Sequence, residues 1–171
     1  ETALTALLDI DRPDLLRQYV DMALVQFADD VNILYQVHRA QLWLSDVDGA
    51  AKVMPVILAS DLDEANKHLV TLRQACAERD YDKAARIYER GLDAYADEVS
   101  IVWISHTIMS RDQAARDALM PYDEAEDFVT LADFLSYGRF DATAFPNFLA
   151  MLESRGVEPH PPQPVPFRCE I

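Results

Sequence analysis

Two consecutive stretches of 34 residues carry the same pattern, and this repeat constrains the fold more than any other feature of the sequence. Residues 30–63 and 64–97 are identical at eight aligned positions. The identical pairs are Asn32/Asn66, Arg39/Arg73, Asp46/Asp80, Asp48/Asp82, Ala50/Ala84, Ala51/Ala85, Leu58/Leu92 and Asp63/Asp97. A fixed period of roughly 20–50 residues is typical of chains in which similar supersecondary units stack on one another. The sequence therefore predicts a solenoid of helical hairpins.

Aspartates recur at the same period, ahead of small residues and an apolar stripe. Ala84 and Ala85 would let a neighbouring helix approach, and Ile87, Tyr88 and Leu92 follow at helical spacing. Aspartate is favoured at the N-cap because its carboxylate accepts hydrogen bonds from free N–H groups of the first turn. We therefore expect two series of capping aspartates, namely Asp14, Asp48 and Asp82 before second helices and Asp29, Asp63 and Asp97 before first helices.

The later part of the chain keeps the pattern with altered lengths. The segment 112–115 matches 82–85 at a spacing of 30 residues, which predicts a shortened fourth hairpin that Pro121 ends. Asp123 is then expected to begin a fifth hairpin. Five prolines between Glu158 and Ile171 predict an extended tail, with Pro164–Phe167 laid over the last hairpin.

The 34-residue period and the Asp-Tyr-Asp-Lys-Ala turn at 80–84 resemble the tetratricopeptide repeat family, closely over residues 12–97 and more loosely over 98–156. The resemblance implies an all-α fold, a right-handed superhelix of about five helical hairpins. It also divides the chain into a helical repeat domain at 1–157 and a proline-rich tail at 158–171.

Charge and hydropathy narrow the range of partners. The chain has 30 acidic and 15 basic residues and a formal net charge of −15, which disfavours binding to nucleic acid or to anionic membrane surfaces. An acidic surface that keeps the protein in solution is the simpler interpretation of this charge. No apolar run approaches the roughly 18 residues of a membrane span, so membrane insertion is not expected.

The chain begins at Glu1, and Thr2–Leu8 has the pattern of an incomplete first helix, so we expect the carboxy-terminal part of a longer protein. A cytoplasmic location is the first expectation. A periplasmic or extracytoplasmic location is the alternative, should an anchor precede Glu1. Cys76 and Cys169 have no paired spacing and predict neither a disulfide nor a metal site.

The sequence contains no pattern that predicts catalysis. It lacks a glycine-rich phosphate loop, a nucleophile elbow and a zinc-binding histidine pair, and its histidines fall at unrelated points of the repeats. We therefore expect a protein that is not an enzyme and that needs no metal or cofactor.

The resemblance to tetratricopeptide repeats implies a concave wall, built from the first helix of each hairpin, that binds a protein or peptide segment. The residues expected to face it are Tyr35, Arg39, Leu42, Trp43, Leu69, Arg73, Trp103 and His106. The partner would be another protein or another domain of the same full-length chain. The alternative is a sensory or regulatory domain that binds a small ligand or an attached effector domain.

Arg39 and Arg73 occupy equivalent points of adjacent repeats, which leaves two interpretations open. Exposed side by side, their guanidinium groups could hold a carboxylate in bidentate fashion. Alternatively, they form internal salt bridges with acidic neighbours.

Overall fold

The computed structural model describes residues 4, 7, 12–138, 141–159 and 165–170. Over these ranges the chain is helical and contains no strand, so the all-α prediction is confirmed. The helices are α1 (Pro13–Gln26), α2 (Val31–Trp43), α3 (Val47–Ala59), α4 (Glu64–Ala77), α5 (Tyr81–Ala94), α6 (Val99–Ile108), α7 (Asp112–Glu124), α8 (Phe128–Gly138) and α9 (Pro146–Ser154). A 3-10 turn (Ala142–Ala144) precedes α9.

Successive helices pack as pairs, and the first members of the pairs also pack in series. The pairs α2–α3, α4–α5 and α6–α7 are each joined by a short turn. In addition α2 packs against α4, α4 against α6, and α6 against α8. We call the surface formed by α2, α4 and α6 the first-helix face, because these helices stand next to one another there.

The turns within the α2–α3 and α4–α5 pairs are built on residues with positive φ. Ser45 has φ 60° and Arg79 has φ 61°, a conformation that turns the chain sharply at the end of a helix. The next residue then bonds back: the N–H of Asp80 donates to the carbonyl of Ala75 at 3.0 Å. The following helix therefore begins at once, at Val47 or Tyr81.

Most capping residues are not the ones expected, because α3 and α5 begin two residues early and α2 and α6 begin one residue late. Side chains of Asp30, Asp46, Asp63 and Asp80 accept hydrogen bonds from the first turns of α2, α3, α4 and α5. The prediction for Asp63 is confirmed, whereas Asp29, Asp48 and Asp82 are not caps. Asp14 lies inside the first turn of α1 and pairs with Arg12, and Glu98 replaces Asp97 at the start of α6 without a side-chain cap.

We expect Asp46→Ala and Asp80→Ala each to lower the free energy of unfolding by about 1 kcal/mol, since each removes the acceptor for a first-turn N–H group. Asp48→Ala and Asp82→Ala are matched controls that remove only a first-turn charge, and they should cost about 0.3 kcal/mol. Urea unfolding followed by circular dichroism measures all four. Equal losses at the two kinds of position would show that Asp46 and Asp80 contribute nothing as caps.

The fourth and fifth pairs also differ from expectation. Helix α7 continues through Pro121 to Glu124, and α8 begins at Phe128. Asp123 is fully buried and accepts hydrogen bonds from the N–H groups of Asn147 (3.2 Å) and Phe148 (2.7 Å) at the start of α9. Asp123 therefore caps the last helix instead of opening the fifth pair.

Only Leu4 and Leu7 are described in the predicted remnant Thr2–Leu8. Both are helical and buried, and they belong to an apolar cluster with Leu16, Val20 and Leu34. The other residues of that prediction lie outside the described residues.

The tail folds back onto the middle of the helical array. Cys169 forms a disulfide with Cys76 of α4, across 93 residues of sequence and with Cα atoms 4.6 Å apart. The expectation of two unpaired cysteines is therefore wrong. The expected cover over the last helix pair is also wrong, because Val165 and Phe167 belong to the cluster built on α4 and α6. Pro164 is not described.

Candidate functional site

An aromatic side chain of the tail docks on the first-helix face. The ring of Phe167 packs edge-on against Trp43, with ring centroids 5.8 Å apart. The guanidinium carbon of Arg73 lies 5.9 Å from the centroid of Phe167 and 5.4 Å from that of Tyr35. Arginine over aromatic rings is a favourable electrostatic contact. The tail is thus held by residues of α2 and α4 that the repeat places side by side.

Polar contacts fix the tail on its other side. The N–H of Cys169 donates to the carbonyl of Ile108 at 2.8 Å, and Ser110 Oγ donates to the carbonyl of Cys169 at 2.7 Å. Arg168 forms an ion pair with Asp112. Together with the disulfide, these bonds connect the tail to α4 and to the turn between α6 and α7.

The docked tail leaves little room around the two arginines. The space between Arg39, Arg73, Trp103 and Phe167 measures about 20 Å³, which is enough for one water molecule. Arg39 is 5% exposed and Arg73 is 3% exposed, so the solvent-accessible pair that a carboxylate clamp requires is not present.

The contacts of Arg73 are mainly aromatic. Its Nη2 donates to the hydroxyl of Tyr35 at 3.3 Å, and within the described ranges Arg73 forms no ion pair. For this arginine, the salt bridge suggested by sequence is replaced by contacts with Tyr35 and Phe167.

Beneath this face a buried histidine links α2 to α4. His38 Nε2 lies 3.1 Å from Gln74 Oε1, and Gln74 Nε2 donates to the carbonyl of Val47 and to Glu78 Oε1. Burial, and to a smaller extent the charge of Arg73, lowers the pKa of His38 to about 3. The imidazole is therefore neutral at pH 7 and donates from Nε2 to the Gln74 carbonyl.

This pKa makes the fold sensitive to acid. Between the unfolded value of 6.5 and about 3, the unfolded chain binds a proton at His38 and the folded chain does not, so stability falls as pH falls. We expect protonation of His38 in the unfolded chain to lower the free energy of unfolding by about 2 kcal/mol between pH 7 and pH 5. Urea unfolding at both pH values, compared with His38→Gln, measures this share. An equal pH dependence in the two proteins would contradict the assignment.

A larger cavity of about 510 Å³ remains open on the first-helix face beside the tail. We call it the open groove. Its apolar floor includes Leu69, Ile101, Trp103 and Phe134, and its polar rim includes Asn32, Asn66, Asp63, Glu98 and Asp133. Helices α2, α4, α6 and α8 contribute to it, as do residues just before α4 and α6.

Trp103 joins the open groove to the tail, because it lines both the groove and the space beside Phe167. It is 0% exposed and packs against Phe134, with ring centroids 5.5 Å apart. Its indole N–H has no acceptor within the described part of the chain. A buried donor of this kind is costly to leave unpaired.

The predicted site residues fall into three groups. Tyr35, Leu69 and Trp103 line the open groove; Trp43 contacts the tail, and Arg39 and Arg73 line the space beside it. Leu42 belongs to the core, and His106 lies toward α5, with its Nδ1 2.7 Å from the hydroxyl of Tyr88.

Sequence reasoning missed the acidic rim, formed by Asp63, Glu98 and Asp133. The repetition of Asn32 and Asn66 was the available signal for this edge, since both lie on the rim.

Among the residues with described positions, no group of three or more His, Cys, Asp or Glu side chains is arranged to hold a metal ion. Across the same ranges, no helix has the length and apolar character needed to cross a membrane. No protein-family model, curated protein or solved structure matches the chain. The resemblance to tetratricopeptide repeats therefore stays a prediction that rests on the residues quoted for it.

Proposed function

We propose that this protein is a non-catalytic interaction module that binds an extended segment of a partner protein on the first-helix face. In this proposal the face is the concave side of a right-handed, tetratricopeptide-like solenoid. One observation carries the proposal: an irregular segment of the chain itself, 165–170, already docks there. It does so through an aromatic side chain, an ion pair and backbone hydrogen bonds, the contacts that peptide recognition uses.

The open groove supplies the binding volume that the tail leaves free. At about 510 Å³ it lies within the range of pockets that bury ligands, roughly 300–1,000 Å³. Trp103 and Ile104 line both this groove and the space beside the tail. A partner segment would therefore lie alongside Val165–Phe167 without displacing them.

A small-molecule sensor is the second candidate, because the same volume and the same buried indole donor would suit a compact ligand. The two candidates differ in how binding depends on chain length. A sensor should bind a compact compound as tightly as any peptide, whereas an interaction module should lose affinity as a bound peptide is shortened.

The disulfide is evidence on the cellular compartment in which the protein resides. Disulfides form and persist in oxidising environments and are rare in the cytosol. Cys76 and Cys169 are both buried, so the bond between them serves a structural purpose. We therefore propose an extracytoplasmic location in place of the cytoplasmic one expected from the sequence.

Peptide selection tests the proposed function. A library of displayed linear peptides is panned against the oxidised protein, and the selected peptides are measured against two variants. Ser100→Trp places an indole in the open groove from an exposed position on α6, and Ser154→Trp makes the same change on α9, outside the groove. We expect Ser100→Trp to weaken binding at least tenfold and Ser154→Trp to leave it unchanged. Equal binding by both variants, or no selected peptide, would contradict the proposal.

A further inference from the structure

We infer that the partner segment is basic and places a lysine or arginine at the rim of the open groove. This inference rests on the proposed function and adds the chemistry of the partner to it. The first observation is the charge of the lining. Asp63, Glu98 and Asp133 lie on the rim, and no Lys, Arg or His within the described ranges lines the cavity.

Two carboxylates of the rim, those of Glu98 and Asp63, form no ion pair with a described residue. Glu98 is exposed at the start of α6, where it makes neither a side-chain cap nor an ion pair with the described residues. Asp63 accepts hydrogen bonds from the N–H and the side-chain amide of Asn66, which are neutral donors that leave its charge in place. Glu98 and Asp63 therefore present negative charge that no described cation compensates.

Arg73, a cation of the same helical face, does not supply its charge to the groove. The guanidinium of Arg73 is held over the ring of Tyr35, it is buried, and it does not line the groove. Beyond contact distance, the formal net charge of −15 also attracts cations and repels acidic segments. The carboxylates at the rim and the net charge of the chain thus both favour a positively charged partner.

The second, independent observation is the indole N–H of Trp103. It is buried, lines the open groove, and has no acceptor in the described part of the chain. A peptide supplies carbonyl acceptors along its backbone together with a cationic side chain. A polyamine supplies the cations alone, so the combination of donor and carboxylates favours a basic peptide.

The docked tail provides a precedent on the same face. Phe167 contacts rings of the helices, and the next residue, Arg168, pairs with Asp112 at the edge. We infer the same arrangement for the partner: an apolar side chain contacts the floor of the groove, and a cationic side chain contacts a carboxylate of the rim. The floor residues Leu69 and Ile101 match the first requirement, and Glu98 matches the second.

The test uses peptides selected on the oxidised protein and their charge-swapped versions, in which each Lys or Arg is replaced by Glu. We expect the selected peptides to be enriched in Lys and Arg, the swapped versions to bind at least tenfold more weakly, and affinity to fall as NaCl is raised. Glu98→Gln should weaken binding about threefold and Glu98→Lys about tenfold. Glu153→Gln, an equal charge change at an exposed position on α9, is the control and should have no effect.

The outcomes separate this inference from the proposed function. Peptides that lose binding to Ser100→Trp but are neutral or acidic, or that bind Glu98→Lys as well as wild type, overturn the basic partner and leave the interaction module standing. The absence of any peptide sensitive to Ser100→Trp overturns both. Because Ser100 and Glu98 are exposed, melting curves can confirm that the variants fold before affinities are compared.

Discussion

Removing the Cys76–Cys169 disulfide is expected to lower the free energy of unfolding by about 4 kcal/mol. The bond closes a loop of 93 residues, and a cross-link across a loop of that length strongly restricts the unfolded chain. It also holds the tail on α4, so its loss weakens the packing of Phe167 on Trp43. Urea unfolding of Cys76→Ala/Cys169→Ala, compared with the oxidised wild type, measures the effect.

The control for this prediction is a reductant. A phosphine that reduces the bond should lower the urea midpoint of the wild type toward that of the double variant and leave the double variant unchanged. Thiol titration under the same conditions establishes that the bond was broken. A reduced wild type that unfolds at the same urea concentration as the oxidised protein would contradict the stabilising role of the tail attachment.

Asp123→Ala should lower the free energy of unfolding by about 3 kcal/mol. The carboxylate of Asp123 is 0% exposed and accepts hydrogen bonds from two N–H groups at the start of α9, those of Asn147 and Phe148. Alanine leaves these donors without an acceptor in a buried place, which costs more than the loss of an exposed cap. Urea unfolding measures the stability, and hydrogen exchange at the Phe148 amide reports the local effect.

Asp127→Ala is the matched control, because Asp127 is exposed and accepts from the N–H of Thr130 at 3.3 Å near the start of α8. It should cost no more than about 1 kcal/mol. If Asp123→Ala proved no more destabilising than Asp127→Ala, the buried carboxylate would stabilise the protein no more than an exposed cap does.

The helices and much of the candidate face could be predicted because the spacing of residues within each repeat determines them. Apolar residues at helical spacing mark each helix, and the 34-residue period places Tyr35 and Leu69 at equivalent points of α2 and α4. The starts of α3 and α5 were displaced by two residues for a physical reason. Ser45 and Arg79 adopt positive φ, which residues other than glycine rarely do, so their residue types do not predict this conformation.

The tail and the buried cap could not be predicted because they depend on contacts between distant residues. Cys76 and Cys169 lie 93 residues apart, and no spacing rule pairs such cysteines. Asp123 begins an Asp-Glu-Ala-Glu run that looks like an exposed helix start, and only the packing of α9 against α7 makes it a buried acceptor.

A partner segment is expected to bind in the open groove beside a tail that stays docked. The chain has two tryptophans: Trp43 contacts Phe167, and Trp103 lines the open groove as well as the space beside the tail. A change at the Trp103 indole N–H without one at Trp43 therefore reports binding in the groove while the tail stays docked. Nuclear magnetic resonance during titration with a selected peptide, with the indole signals assigned by Trp43→Phe, measures this. We predict a large downfield shift of the Trp103 indole proton, as it gains an acceptor, and little change at Trp43. An unchanged Trp103 signal, with shifts confined to residues of α3 and α5, would contradict it.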